Sequence, residues 1–134
     1  MEEGLHFTLT KKERITGKNK IENLFTKGKS FLKYPLKIVY IECERDSEYL
    51  VSILVSVPKK RLKLAVKRNK IKRLIREAYR LNKNIITNDL SHSNRQISLS
   101  FVYVKDDLTD YETIERSMCK ALNELAYQLK TKEE

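Results

Sequence analysis

The sequence predicts an α+β fold in which a β-sheet packs against helices as a two-layer α/β sandwich. Apolar residues recur at helical spacing in some segments and alternate in others, and the resulting order is helix, strand, strand, helix, strand, helix. The chain has 134 residues, of which 40% are hydrophobic, which suits one domain with a modest core. Each element has one apolar side to bury, so a sheet covered by helices is the natural arrangement.

We divide the chain into a polar arm (residues 1–16), one domain (17–130) and a frayed end (131–134). The start lacks a secretory signal, and no apolar run approaches the ~20 residues that span a bilayer. Cys43 and Cys119 lack metal-ligand spacing, which favours two reduced cysteines in a cytoplasmic protein.

The first half of the chain predicts a short helix and two strands. Residues 18–27 place apolar side chains at helical spacing, and Gly28 follows as a C-terminal cap. Residues 36–42 and 49–57 alternate apolar and polar side chains around a polar turn. We therefore predict a β-hairpin formed by these two strands.

The strongest helix is predicted over residues 64–83. At 100° per residue, its packing side gathers Ile71, Leu74, Ile75, Ala78 and Leu81. Its opposite side gathers Asn69, Lys72, Arg73, Arg76, Arg80 and Lys83. One side of this helix should thus join the core while the other presents a row of cations.

The last third predicts a polar connection, a strand and a long helix. The connection covers residues 88–95, the strand 96–105 and the helix 110–130. Thr109 and Glu112 have the spacing of a capping box at the start of that helix. The strand–helix–strand order around the basic helix suggests a crossover between parallel neighbours.

Positive charge is concentrated in one segment. Residues 58–83 contain twelve Lys or Arg and one acid, Glu77, so they carry +11, whereas the whole chain carries +10. Like charges recur at i,i+4 spacing, as in Lys72, Arg76 and Arg80, which costs a few tenths of a kcal/mol per pair. Such a field favours a polyanionic partner, with nucleic acid the leading class. A solvated charged face or a membrane surface remains the alternative.

RNA is preferred over DNA because no helix-turn-helix partner precedes the basic helix. No nucleophile–base arrangement is recognisable, and His6 and His92 are isolated. The acids Asp106, Asp107 and Asp110 lie at a strand-to-helix junction, where they favour helix capping. A metal-dependent nuclease that uses these three carboxylates stays open as a second interpretation.

The run from Lys59 to Ala78, which contains KK and AVKRNKIKRLIREA, resembles the signature of the bacterial ribonuclease P protein subunit, in its Bacteroides-group form. The resemblance implies a ribosomal-protein-S5-domain-2-like fold with a left-handed βαβ crossover around the basic helix. It also implies a partner, the catalytic RNA of ribonuclease P, and a substrate, precursor tRNA, whose 5′ leader is removed. The RNA and Mg²⁺ held mainly by it would perform the hydrolysis, so no residue of this chain is expected to be catalytic. No DNA or membrane partner is expected, and the free protein should be a monomer.

The resemblance assigns two sets of residues. The first, here named the basic surface, should bind the catalytic RNA and consists of Lys59, Lys60, Arg61, Lys63, Lys67, Arg68, Asn69, Lys70, Lys72, Arg73, Arg76 and Arg80. The second should line a cleft for the single-stranded leader and consists of Ile21, Phe25, Ile38 and Tyr40. The chain departs from the family pattern at Lys70, where Arg is usual, at Ile21, where an aromatic is frequent, and at Leu64, where small or polar residues are common. An RNA-binding or ribosome-associated protein without a catalytic RNA is the alternative function.

Overall fold

The structure, a computed structural model, describes residues 18–44, 50–90 and 95–132. Within these ranges the chain forms four helices and four strands, in the order α1 (Lys18–Lys27), β1 (Lys29–Lys33), β2 (Leu36–Glu44), β3 (Val51–Ser56), α2 (Ala65–Asn82), α3 (Asn84–Leu90), β4 (Arg95–Tyr103) and α4 (Tyr111–Lys132). The mixed α+β class predicted from the sequence is confirmed. The predicted arm and His6 and His92 lie outside the described residues.

The strands form one mixed sheet with the order β1-β2-β4-β3. β4 pairs antiparallel with β2 and parallel with β3. The predicted crossover between parallel neighbours is therefore confirmed, with α2 and α3 between the two strands. Its left-handed sense stays an expectation of the family resemblance.

The predicted hairpin of the second and third strands is wrong. β2 turns back on β1 instead, through Tyr34 and Pro35, and β4 separates β2 from β3. The strand β1 was not predicted, because this short edge strand, KSFLK, has mostly exposed side chains and no run of β-branched residues. The helix α3 was not predicted either: its buried Leu90 falls in the predicted polar connection, and its buried Ile86 lies between that connection and the predicted end of the basic helix.

Two apolar clusters lie on opposite sides of the sheet. The larger one joins alternate strand residues, such as Ile53, Leu99 and Phe101, to the buried sides of α2, α3 and α4. The smaller one joins Leu24 of α1 to Val39 of β2. The sheet and the α2–α4 layer are thus the two main layers. Among the described helices, α1 packs on the other side of the sheet, which we name the α1 side.

Gly28 sets the tight step from α1 into β1. Its amide donates to the Leu24 carbonyl at 3.0 Å. A Cβ at this position would overlap that carbonyl oxygen and approach the Tyr40 carbonyl oxygen to 2.9 Å. Glycine is therefore required where the helix end meets the sheet.

The start of α4 is capped by Asp110. The Thr113 amide donates to Asp110 Oδ1 at 2.9 Å, and hydrogen bonds from Thr113 lower the pKa of this carboxyl below its ordinary value. The predicted capping box of Thr109 and Glu112 is wrong by one residue, because the helix begins at Tyr111.

Cys119 is a free cysteine whose thiol donates to Asn82 Oδ1 at 3.4 Å, across the α2–α4 contact. The side chain of Cys43 lies outside the described part of the structure. Among the helices that the structure describes, none is both long enough and apolar enough to cross a membrane.

Candidate RNA interface

The buried side of α2 is set by three residues one helical turn apart. Ile71, Ile75 and Tyr79 are fully buried, and Ala78 lies between the last two. The prediction that Leu81 packs in the core is wrong, since its side chain is 40% exposed. Tyr79 occupies the core instead, against Phe101 of β4 at a ring-centroid distance of 5.8 Å. With this side fixed by the core, the cations of α2 must face outward.

All twelve side chains of the predicted basic surface are at least partly accessible. Those that are exposed are Lys59, Lys60, Lys63, Lys67, Asn69, Lys70 and Arg73. Those that are partly exposed are Arg61, Arg68, Lys72, Arg76 and Arg80. The prediction that these side chains lie on the solvent-facing side of α2 and its preceding loop agrees with the structure, and a polyanion can reach them there.

One acid lies within this surface. Glu77 forms a two-pronged pair with Arg80, at 2.5 Å from Oε2 to Nη2 and 3.1 Å from Oε1 to Nε. Hydrogen bonding to Arg80 lowers the pKa of Glu77, and the same contact raises the pKa of Arg80. A solvent-exposed pair of this kind adds little stability. Its main effect is to fix the Arg80 guanidinium and offset its charge.

The segment before α2, residues 58–64, is here named the basic loop, and Arg68 braces it. Arg68 Nη1 donates to the carbonyls of Leu62 at 2.9 Å and Lys63 at 2.8 Å. The loop begins with a turn in which the amides of Arg61 and Leu62 donate to the Pro58 carbonyl, and Leu62 itself is buried. Arg68 thus has a structural role that its place in the charge pattern did not predict.

A second contact ties the basic loop to the end of β4. Arg61 Nη1 donates to Asp106 Oδ1 at 2.9 Å. The two contacts hold neighbouring parts of the loop, one at the Arg61 side chain and one at the carbonyls of Leu62 and Lys63. The side chains of Lys59, Lys60 and Lys63 stay exposed. A pre-arranged loop loses less conformational entropy when it binds a partner.

The three acids suggested for a nuclease have separate structural partners. Asp106 binds Arg61, Asp107 Oδ1 accepts the Leu108 amide at 2.8 Å, and Asp110 caps α4. In residues 18–44, 50–90 and 95–132, no three His, Cys, Asp or Glu side chains are grouped so that they could hold a metal ion. The geometry thus favours the capping interpretation for this junction.

The predicted leader cleft is wrong in two of its four residues. Ile38 and Tyr40 point into the large core beneath α2–α4, whereas Ile21 and Phe25 belong to α1 on the other side of the sheet. Tyr40 packs edge-on against Phe31 and donates its hydroxyl to Gln128 Oε1 at 2.5 Å. Burial and the nearby Glu42 raise the pKa of this hydroxyl. These two residues therefore stabilise the fold and cannot share a surface with α1.

The α1 side of the sheet has a different set of residues. Ile21 packs partly against Leu24 and Val39, and Phe25 follows with 45% of its side chain exposed. The neighbouring strands present small, partly accessible side chains on this side, namely Ser52, Ser56, Ser98 and Val102. Sequence reasoning missed this set because alternation defines two faces of a strand without indicating which one α1 covers.

Comparison with known sequences identifies the family. The model of the family named Ribonuclease P matches residues 9–126. A protein from Porphyromonas gingivalis named "Ribonuclease P protein component" is 45% identical over 121 residues, which cover 90% of this chain and 88% of that protein. A protein of the same name from Chlorobaculum tepidum is 37% identical over 102 residues, covering 71% of this chain and 66% of that protein.

Solved structures agree with the fold. The ribonuclease P protein of Thermotoga maritima has a TM-score of 0.65 at 21% identity, covering 83% of this chain and 96% of that one. The ribonuclease P protein of Staphylococcus aureus has a TM-score of 0.60 at 25% identity, covering 89% of this chain and 92% of that one. With its family-model match, its close relatives and its exposed basic helix, this chain belongs to the ribonuclease P protein family.

Proposed function

We propose that this protein is the RNA-binding subunit of ribonuclease P and assists the removal of 5′ leaders from precursor tRNAs. The observation that carries the proposal is the basic surface, exposed along one side of α2 and the loop before it, in a chain of this family. The catalytic RNA is its partner, and one protein monomer binds each RNA.

The basic surface acts by neutralising phosphates. Each Lys or Arg that contacts a phosphate releases condensed counterions, so binding should weaken steeply as salt increases. α2 is anchored by Ile71 and Ile75, and its basic loop by Arg68 and Arg61. A rigid cationic strip of this kind suits a folded RNA, whose narrow major groove hides the bases but whose phosphates are accessible.

The α1 side binds the leader in this proposal. Phe25 offers a half-exposed ring on which an unpaired base can stack without sequence preference. The serine hydroxyls of the adjacent strands, such as Ser52, Ser56 and Ser98, can hydrogen-bond to ribose and phosphate oxygens. This location replaces the cleft predicted from the sequence and keeps Ile21 and Phe25 as its α1 residues.

The hydrolysis itself belongs to the RNA partner and the Mg²⁺ that it holds. The acids at the β4–α4 junction are engaged in an ion pair, a turn and a helix cap. The protein contributes charge neutralisation, which lets two RNA molecules approach each other, and a contact that precursor tRNA has and mature tRNA lacks.

Reconstitution tests the proposal. The purified protein is mixed with the ribonuclease P RNA of the same organism at low Mg²⁺, and leader release from a precursor tRNA is measured with and without the protein. We expect the protein to stimulate cleavage. Tight RNA binding without stimulation would support a general RNA-binding role instead. Cleavage by the protein alone, abolished by Asp106→Asn, would support a self-sufficient nuclease.

A further inference from the structure

Two apolar side chains lie within the basic surface, at the start of α2. Leu64, the residue before the helix, is 60% exposed, and Val66, in its first turn, is 80% exposed. Neither belongs to either core cluster. Isolated apolar residues are common on protein surfaces, so exposure alone says little. Their place relative to the cations is the informative part.

Val66 lies on the outermost line of α2. Seven residues at 100° each bring Arg73 to within about 20° of Val66 around the helix axis, and Asn69 lies one turn from both. Val66 is therefore at the end of the row that faces away from the core, opposite Ile71. A lysine or arginine at this position would add one more phosphate contact to the outward side of α2. The sequence has a valine there instead.

Helix formation does not account for the valine. β-branched residues have lower helix propensity than Ala, Lys or Arg, and an exposed first-turn position gives Val no packing in return. Leu64 occupies the N-cap position, where its carbonyl accepts the Arg68 amide at 3.1 Å, but its side chain makes no cap hydrogen bond. The two apolar side chains thus contribute neither to the core nor to the helix cap.

The surrounding charge indicates which partner covers the pair. Among the exposed residues around the pair, Lys63, Lys67 and Lys70 are cations. The other two, Ala65 and Asn69, are neutral, and none is acidic. A protein or lipid surface that covered the pair would have to be strongly anionic as well, whereas RNA offers phosphates and apolar base faces a few ångströms apart. Unpaired nucleotides present those faces, while paired ones keep them stacked.

We infer that Leu64 and Val66 form an apolar contact for an unpaired nucleotide of the RNA partner, held in place by phosphate contacts from the flanking lysines. This inference rests on the proposed function, because it takes RNA as the partner of the basic surface. It adds a contact that does not depend on charge. The two kinds of contact differ in their salt dependence, since only phosphate neutralisation releases counterions.

The experiment compares Val66→Thr, which keeps the shape but replaces one methyl group by a hydroxyl, with Lys67→Gln at the next position. Affinity for the ribonuclease P RNA of the same organism is measured from low to high salt. We expect Val66→Thr to lose about tenfold in affinity at every salt concentration with an unchanged slope. Lys67→Gln should reduce the slope of log affinity against log salt concentration by about one unit, as expected for one lost phosphate contact. Val66→Ile, which stays apolar, should bind like the wild type.

Three outcomes would overturn the inference. They are wild-type affinity of Val66→Thr, a changed salt slope in that variant, and loss of self-association rather than of RNA binding when sedimentation is compared. Circular dichroism and urea unfolding of both variants exclude misfolding, which we do not expect at a position that is 80% exposed. Failure of the proposed function would look different, because the wild-type protein itself would then not bind the RNA or not stimulate cleavage.

Discussion

Replacing Phe25 by alanine tests the assignment of the leader site to the α1 side. Truncating an aromatic that stacks on a base costs about 1–3 kcal/mol, or roughly 5- to 150-fold in affinity. Full burial of Phe would add a stability loss of about 3–5 kcal/mol on truncation. Because 45% of Phe25 is exposed, we expect Phe25→Ala to lower the free energy of unfolding by only about 1–2 kcal/mol. The two effects are thus separable.

The assay measures the affinity of the reconstituted holoenzyme for precursor tRNA and for mature tRNA, alongside urea unfolding of the free protein. Phe25→Ala should weaken precursor binding and leave mature tRNA unchanged. Ile38→Val is the control, because Ile38 is 1% exposed and its side chain faces the α2–α4 layer, on the side of the sheet away from α1. It should lower stability by about 0.5–1.5 kcal/mol without changing the preference for a leader. Equal weakening of both substrates by Phe25→Ala would refute the assignment.

Three further substitutions test contacts that the structure revealed. Arg68→Lys keeps the charge but replaces the longer, planar guanidinium whose Nη1 donates to the carbonyls of both Leu62 and Lys63. Urea unfolding should therefore show a loss of about 1–3 kcal/mol, and RNA affinity should fall. Unchanged stability and affinity would show that Arg68 does not hold the basic loop. Asp110→Ala should lower the urea unfolding midpoint at neutral pH, because it removes the helix cap. The pKa of Asp110 is lower in the folded protein than in the unfolded chain, where it is about 3.9. The stabilisation by this carboxylate is therefore present above the unfolded pKa and is lost as pH falls through the folded pKa, so the stabilities of wild type and variant should converge in acid. A stability difference that stays constant with pH would contradict the cap. Gly28→Ala, normally a stabilising change, should instead destabilise by about 1–3 kcal/mol, and a gain in unfolding midpoint would show that the clash with the Leu24 carbonyl is relieved.

The basic helix was predictable because its pattern is strong. Eighteen residues in one helix, with apolar side chains one turn apart and cations between them, define two sides whatever the rest of the chain does. The error at Leu81 has a simple physical origin. It lies at the edge of the apolar arc, and the larger Tyr79, on the far edge of the arc, fills the space against Phe101.

Strand pairing was harder to predict because it depends on distant residues. The alternation of β2 and β3 is clear, but nothing in either strand says that β4 inserts between them. The same limit misplaced Ile38 and Tyr40. Their alternation with Val39 was correct, but the choice of the side that α1 covers is decided by Leu24 and Val39 packing in three dimensions.

The contacts by which Arg61 and Arg68 hold the basic loop could not be predicted from the charge pattern either. Arg61 and Arg68 look like any other cations of the segment, and their partners are two backbone carbonyls and a carboxylate 45 residues away. A sequence pattern counts such residues as available for RNA. The structure shows that each already holds part of the protein in place.

The central position of β4 also constrains the order in which the chain can assemble during synthesis. β3 and the basic helix leave the ribosome before residues 95–103, yet in the described part of the sheet β3 pairs with β4 alone. Until β4 has been synthesised, residues 58–83, which carry +11, lack the completed sheet on which the basic helix packs, and this cationic segment is exposed to cellular RNA before it is folded. Selective, shape-dependent binding thus becomes available only after most of the polypeptide has been made.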